Sequence, residues 1–300
     1  MAGAATRLSV NAPAIQWYPG HIAKAEKALS EALAKVDLVI EVRDARIPLA
    51  TGHPRLRRWI SGKQHLLVLN RRDMVPAAAQ QLWSDWFRGQ GQPVWWCDAK
   101  AGTGVKQLQQ AAIRAGDALN ERRKGRGMKP RPVRALMLGF PNVGKSALIN
   151  RLVRQKVVES ARRAGVTRSL RWVRLGQDLD LLDAPGVLPP RLDDQQAALQ
   201  LALCDDIGQA AYDNEAAALA FIQLLELLRP YSAAGVPEGL LEQRYGIPLG
   251  ALPDGGPDVE GWLAAAAERH TSGDGLRMAT KLLDDFRCSR LGAIALELPG

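Results

Sequence analysis

Apolar positions along the chain follow two patterns in alternation. Short continuous runs read as buried strands: Asp37 to Val42 (DLVIEV), His65 to Leu69 (HLLVL), Pro93 to Cys97 (PVWWC) and Val133 to Leu138 (VRALML). Between them apolar residues recur at helical spacing. His21 to Ala34 carries Ala25, Leu29 and Leu33 on one face, and Ala77 to Arg88, Val105 to Leu119 and Lys145 to Arg154 also read as helices. Leu170 to Leu175 and Leu179 to Leu182 are two further strands, with Gly176-Gln177-Asp178 as the turn between them. Continuous apolar strands separated by helices imply an α/β fold, a mostly parallel sheet in a three-layer arrangement. From Gln195 onward the strand pattern stops. Ala- and Leu-rich stretches follow, Glu215 to Leu228 and Gly261 to Arg269 among them. The expected organisation is an N-terminal tail (1–16), an α/β domain (17–205) and a smaller all-helical C-terminal domain (206–300). Glu121 to Arg134 (ERRKGRGMKPRPVR), with its Gly and Pro residues, reads as a flexible basic connector.

Composition narrows the class. Hydrophobic residues make up 47% and charged residues 24%, which is globular and not disordered. No apolar run is long enough to span a bilayer, so no membrane is expected; Met1 to Gln16 lacks the apolar core of a secretory signal and reads as a frayed terminus or a short organelle-targeting tail. Cys97, Cys204 and Cys288 are scattered and odd in number, which fits three core residues in a reducing cytosol. Net charge is +9 but unevenly spread: Asp193 to the end holds 7 Lys/Arg and 17 Asp/Glu, leaving 33 and 14 in residues 1–192. A basic field of that size attracts polyanions, nucleic acid first.

The chemistry-bearing strings lie in the basic part. Gly139-Phe140-Pro141-Asn142-Val143-Gly144-Lys145-Ser146 matches the phosphate-loop pattern G-x-x-x-x-G-K-[ST] and sits between a strand and a helix that continues with Ala147. Its backbone N–H groups can close around phosphate oxygens, Lys145 adds a cation, and Ser146 offers a hydroxyl to Mg²⁺. Asp183-Ala-Pro-Gly186 ends the strand DLDLLD; there a carboxylate can hold Mg²⁺ through water and the Gly186 N–H can reach a γ-phosphate. Thr167, in the Arg- and Gly-rich stretch between, either completes the Mg²⁺ shell or is an ordinary loop residue. Asn70-Arg71-Arg72-Asp73 follows the strand HLLVL. A carboxylate at Asp73 can accept from both N–H groups of the guanine edge, which adenine lacks. The usual second residue is Lys; Arg71 can still stack across a base. Asp98-Ala99-Lys100, after PVWWC, is similar to the S-A-K loop that touches guanine, with Asp in place of Ser.

In a Ras-like GTPase the phosphate loop comes first and the base-reading string late. Here residues 70–73 and 98–100 precede residues 139–146, 167 and 183–186, so the cyclic order is kept from a different starting point. This order resembles the circularly permuted GTPases. Trp17-Tyr-Pro-Gly-His21-Ile-Ala-Lys24-Ala25 and Asp44-Ala-Arg-Ile-Pro48 resemble the W-[FY]-P-G-H-M-x-K-A and D-A-R-[IV]-P signatures of the YlqF/RbgA family of ribosome-biogenesis GTPases, over about residues 14–230.

The resemblance implies a circularly permuted Ras-like P-loop GTPase domain followed by a helical domain. It implies a monomeric assembly factor that uses GTP and Mg²⁺ and docks on rRNA and ribosomal proteins of the large ribosomal subunit precursor. It also implies a role for His21 in orienting or activating water, since Val187 stands where Ras-like enzymes carry a Gln; fixing the N-terminal segment or touching rRNA is the other reading of that histidine. Asn142 matches the residue that accompanies K⁺ dependence in related GTPases; a plain loop contact is its other reading. Two rival functions stay open: a scaffold that uses nucleotide structurally, and a permuted GTPase acting on another ribosomal particle.

Overall fold

The computed structural model describes Ile15 and residues 29–155, 171–183, 194–208 and 211–300. Two compact units emerge from the contacts. One comprises, among the described residues, 29–72, 87–155 and 171–183; the other comprises Ile15, Asp73–Trp86 and the chain from 194 on.

The first unit is built on a six-stranded sheet. Its strands are β1 (Leu38–Asp44), β2 (Gln64–Asn70), β3 (Val94–Cys97), β4 (Val133–Leu138), β5 (Arg171–Leu175) and β6 (Leu179–Asp183), in the order β3-β2-β1-β4-β6-β5. All neighbours run parallel except β5, which returns antiparallel along β6 through the short turn read from the sequence. The strands are apolar on both faces because both are covered. On one face Val39, Leu136 and Leu182 pack with Leu29, Leu33 and Leu56; the intervening Ile40, Ala135, Met137 and Leu181 point the other way and are buried too. Residues 29–33 are helical, the described end of the helix expected over 21–34.

The short helix α1 (Leu56–Trp59) precedes β2, and α2 (Ala77–Gly89) follows it. The helix expected over 105–119 is two helices, α3 (Val105–Arg114) and α4 (Asp117–Gly125). Gly116 separates them: a Cβ there would lie 1.8 Å from Val133 Cγ2, so the chain passes too close to β4 for any side chain.

The stretch expected to be a flexible connector is ordered instead. It begins inside α4, and Asn120 then bonds both backbone groups of Arg131, accepting from its N–H and donating to its carbonyl, each at 3.1 Å. The Arg131 guanidinium grips Asp37 through two bonds of 2.8 Å. Gly125 ends α4, Gly127 lies in the turn after it, Pro130 and Pro132 flank Arg131, and α5 (Lys145–Val153) follows the next loop.

The second unit holds α6 (Gln195–Leu203), α7 (Asn214–Leu228), α8 (Leu240–Tyr245), α9 (Val259–Thr271) and α10 (Gly275–Arg287). α7 is apolar around most of its circumference, burying Phe221, Ile222, Leu224 and Leu225 against α9 and α10. Asp73–Trp86 belongs here: the Ile294 N–H donates to the Met74 carbonyl at 2.9 Å, and Trp83 Nε1 to the Glu297 carbonyl at 3.1 Å.

The acidic balance of this part has structural causes. Asp194, Asp213, Asp258 and Asp274 each cap a helix N-terminus through a backbone N–H. Asp285 is fully buried and accepts from Arg244, Tyr245 and Arg290. Cys97 and Cys204 are core residues as expected, whereas Cys288 is exposed. Among the described residues no helix is long and apolar enough to cross a membrane.

Candidate functional site

In a parallel sheet with helices on both faces, ligands gather where the strands end. The carboxyl ends of β1, β2, β3, β4 and β6 carry Asp44, Asn70, Cys97 with Asp98 next, Leu138 with the phosphate loop next, and Asp183. The register sets Asp44 beside Asn70 and Asn70 beside Cys97. Strings scattered over more than a hundred residues of sequence thus meet on one edge.

Asn70 ties three of them. Its buried amide donates from Nδ2 to the Val143 carbonyl at 2.9 Å, and its Oδ1 accepts from the Ala99 N–H at 3.2 Å. Gly144 passes so near, at φ +96°, that a Cβ would stand 2.2 Å from Asn70 Nδ2. A side chain there would be strained by its backbone and blocked by Asn70, which explains the glycine physically.

Arg71 makes the second tie. Its NH1 pairs with Asp44 Oδ2, and its NH2 donates to the Asn142 carbonyl at 2.6 Å. Asp44 is completely buried and also receives Arg46, through the backbone N–H at 2.9 Å, Nε at 3.0 Å and NH2 at 2.8 Å. Although burial opposes ionisation, the guanidinium groups of Arg46 and Arg71 win and hold this carboxyl well below the usual range. The D-A-R-I-P string was legible as a signature; that its Asp44 braces the N-R-R-D string and, through Arg71, the phosphate loop was not. The signal available was a buried-strand Asp followed two residues later by Arg.

Asp98 replaces the expected Ser without loss of the turn. Its Oδ1 accepts from the N–H groups of Lys100 at 2.7 Å and Ala101 at 3.0 Å, bonds that a Ser oxygen would also make. Arg151 of α5 holds the same loop by donating to the Lys100 carbonyl at 3.0 Å. Arg72 and Asp73 open a 3₁₀ turn, Arg72–Met74, directly after this edge of β2, and the Asp73 side chain is exposed.

In the phosphate loop, Asn142 and Gly144 both adopt left-handed backbone conformations. Lys145 is buried and donates to the carbonyls of Phe140 at 2.6 Å and Gly139 at 3.2 Å. Ser146 and Ala147 occupy the first turn of α5, whose N-terminus meets the loop. Asp183 is 1% exposed, and its Oδ1 has no hydrogen-bond partner among the described residues. Burial pushes its carboxyl up to about 6, with Lys145 acting the opposite way. A buried carboxylate oxygen left without a donor is poorly solvated, and a cation would satisfy it. The donor set, hard oxygens from Asp183 and Ser146, fits Mg²⁺. His21, Thr167, Gly186 and Val187 lie outside the described residues.

A sheet of this order, with a phosphate loop following its fourth strand and the N-R-R-D string its second, defines a P-loop nucleotide-binding protein whose chain is circularly permuted. Residues 134–225 match the family model described as 50S ribosome-binding GTPase. The chain is 31% identical to ribosome biogenesis GTPase A of Bacillus licheniformis, over 95% of this chain and 98% of the relative. It is 34% identical to ribosome biogenesis GTPase A of Bacillus cereus, over 81% of this chain and 84% of the relative. The crystal structure of GNP-bound YlqF from T. maritima superimposes with a TM-score of 0.56 at 22% identity, covering 92% of this chain and 98% of that one, which shows a shared fold. The protein belongs to the ribosome biogenesis GTPase A family.

Proposed function

We propose that the protein is a GTP-hydrolysing ribosome-assembly factor that acts, as a cytosolic monomer, in late maturation of the large ribosomal subunit and docks on its rRNA and proteins. The observation that carries the nucleotide half of this reading is the Asn70 amide, which locks the phosphate loop, the N-R-R-D string and the D-A-K loop into one constellation. Family membership and the basic charge of residues 1–192 support the ribosomal half.

In this reading Asn142, Val143, Gly144, Lys145, Ser146 and Ala147 cradle the phosphates, with Gly186 sensing the last of them. Asn70, Arg71, Arg72 and Asp73 form the guanine side with Asp98, Ala99 and Lys100. Lys145 leaves its two carbonyl partners for phosphate oxygens when nucleotide binds. Ser146, Asp183 and Thr167 would hold Mg²⁺, which would supply charge neutralisation at the β- and γ-phosphates. The Asn142 side chain is the candidate K⁺ ligand. His21 orients or activates the attacking water, a role for which Val187 has no hydrogen-bonding group.

GTP turnover measured with and without large-subunit precursors, in K⁺ and in Na⁺, tests the proposal. Turnover is expected to rise with the particle and with K⁺. Lys145→Ala is expected to abolish nucleotide binding; His21→Ala should bind GTP normally but turn it over about 10²-fold more slowly, as for a lost general acid–base group. Absence of GTP hydrolysis even with particles and K⁺ overturns the enzyme in favour of a scaffold that uses nucleotide structurally.

A further inference from the structure

The far end of the sheet, where the parallel strands begin, carries a second cluster that the nucleotide site does not use. Arg134 on β4, Asp180 on β6 and Arg174 on β5 stand side by side in one row across three strands. Trp172, two residues before Arg174 on the edge strand, shares its face. That indole is 43% exposed, and the Arg134 guanidinium lies 5.8 Å from its ring centroid. The Arg174 side chain is 78% exposed and reaches Asp180 at 3.4 Å.

With the exposed Lys35, these residues line a depression of about 420 Å³. The end of the basic connector arrives at the same corner, since Asp37 accepts from both Arg131 and the Arg134 N–H. The corner therefore presents four cations, Lys35, Arg131, Arg134 and Arg174, against two carboxylates, Asp37 and Asp180, around a half-open indole.

We infer that this corner binds single-stranded RNA, with one base stacked on Trp172 and the flanking phosphates met by Lys35, Arg134 and Arg174. Aromatic faces flanked by cations suit this ligand: any base can stack on the ring while the backbone follows the charge. A duplex keeps its bases stacked on one another and gains only the charge term. The excess of cations favours a polyanion over a protein partner. Arg134 lies five residues before Gly139 on an extended strand, about 17 Å away, and Trp172 pairs with Leu182, so its side chain takes the face opposite to that of Asp183, the next residue of the strand; RNA on this face, reaching toward Arg134, leaves the nucleotide edge free. The inference rests on the proposed docking to ribosomal RNA and names a surface for it.

The full chain, loaded with a non-hydrolysable GTP analogue, is titrated against a fluorescein-labelled single-stranded RNA of about 12 nucleotides and a duplex of equal length. Anisotropy is followed across roughly 50 to 200 mM KCl. Trp172→Ala is expected to weaken single-strand binding at least fivefold and leave the duplex within twofold; Trp172→Phe should stay near wild type. Arg174→Ala should reduce the salt slope for the single strand by about 0.7. GTP affinity should be unchanged in all three variants.

Single-strand binding by Trp172→Ala equal to wild type, or no single-strand binding by wild type, overturns the inference. Unchanged RNA affinity with weakened association to ribosomal precursors also overturns it and points to a protein contact. In each of these cases intact GTP binding and particle-stimulated turnover leave the proposed function standing. Loss of that turnover in the wild type is the separate result that removes the broader reading.

Discussion

Asp44→Asn isolates the brace beneath the nucleotide edge. The substitution keeps the side-chain shape. Its Oδ1 still accepts from the Arg46 N–H and Nε, but the new amide nitrogen presents hydrogens toward the Arg46 and Arg71 NH groups that donated to Oδ2. Two charge-assisted bonds are lost, each worth about 1.5–3 kcal/mol. They face guanidinium groups of which Arg46 is 1% exposed, so the expected cost is about 3–5 kcal/mol, as for one broken partner of a buried ion pair. Urea unfolding followed by tryptophan fluorescence should show the midpoint falling by about 1–2 M, for a slope of roughly 2–3 kcal/mol per M.

The pH dependence supplies the sharper check. The Asp44 carboxyl titrates lower in the folded protein than in the unfolded chain, where the ordinary value is about 3.9. Its contribution is fully present above that value and is lost as pH falls toward the folded pKa. The gap between wild type and variant should be constant from about pH 6 to 8 and shrink below about pH 4. A gap under about 1 kcal/mol at neutral pH, or one that persists undiminished in acid, refutes the brace as described. The same variant should weaken GTP binding, because the Asn142 carbonyl loses the support of a fixed Arg71.

Asp73→Asn should exchange GTP preference for XTP, since an amide can donate to the xanthine 2-oxo group where the carboxylate accepted from the guanine amine; competition against a fluorescent nucleotide reads this, and unchanged GTP selectivity would count against Asp73 as the base reader. Asp183→Asn should weaken Mg²⁺-dependent nucleotide binding yet stabilise the nucleotide-free protein by about 1–2 kcal/mol at pH 7. The sign follows from a folded carboxyl raised to about 6: stability falls as pH rises from the unfolded to the folded pKa, and the amide removes that loss. A lower melting temperature for the metal-free variant at pH 7 contradicts it. Mg²⁺ affinity of the wild type should likewise decline below about pH 6, where protons compete for Asp183. Gly116→Ala, with its Cβ driven to 1.8 Å from Val133 Cγ2, should destabilise by about 1–3 kcal/mol in thermal melts while GTP affinity holds.

Strand existence was legible because each buried strand is a short apolar run between turn signals, and β4 spans Val133–Leu138 as read. The cyclic order of the motifs announced the permutation, while the strand order β3-β2-β1-β4-β6-β5 came from the structure. Single-residue close approaches were not legible. Nothing in VKQLQQAAIRAGDAL announces that Gly116 faces Val133, so one helix was expected where two exist. The connector misled because Gly, Pro and charge signal turns and solvent, and they do not show that Asn120 and Asp37 are positioned to hold Arg131. At the site, residue types and spacing singled out Asn70, Lys145 and Asp183, which the sheet brings to one edge. The bond from Arg71 to the Asn142 carbonyl joins residues 71 apart and depends on the sheet bringing two loops together.

The strand order also bears on how the chain is made. Synthesis delivers β1, β2 and β3 first, and these pair with one another as β3-β2-β1. One flank of β1 then stays open until β4 emerges to occupy it. An uncovered flank on so apolar a strand is a template for mispairing with another nascent chain. In the unpermuted arrangement the phosphate-loop strand is translated early and nucleotide can bind during synthesis. On the proposed assignment, the guanine half (residues 70–73 and 98–100) is translated before the phosphate half (139–147 and 183–186), so GTP would stabilise only a chain already translated past Asp183. Residues 29–36 pack on the face of the sheet and not along this flank, so early protection of the open edge of β1 falls to a partner outside the nascent chain, such as a chaperone.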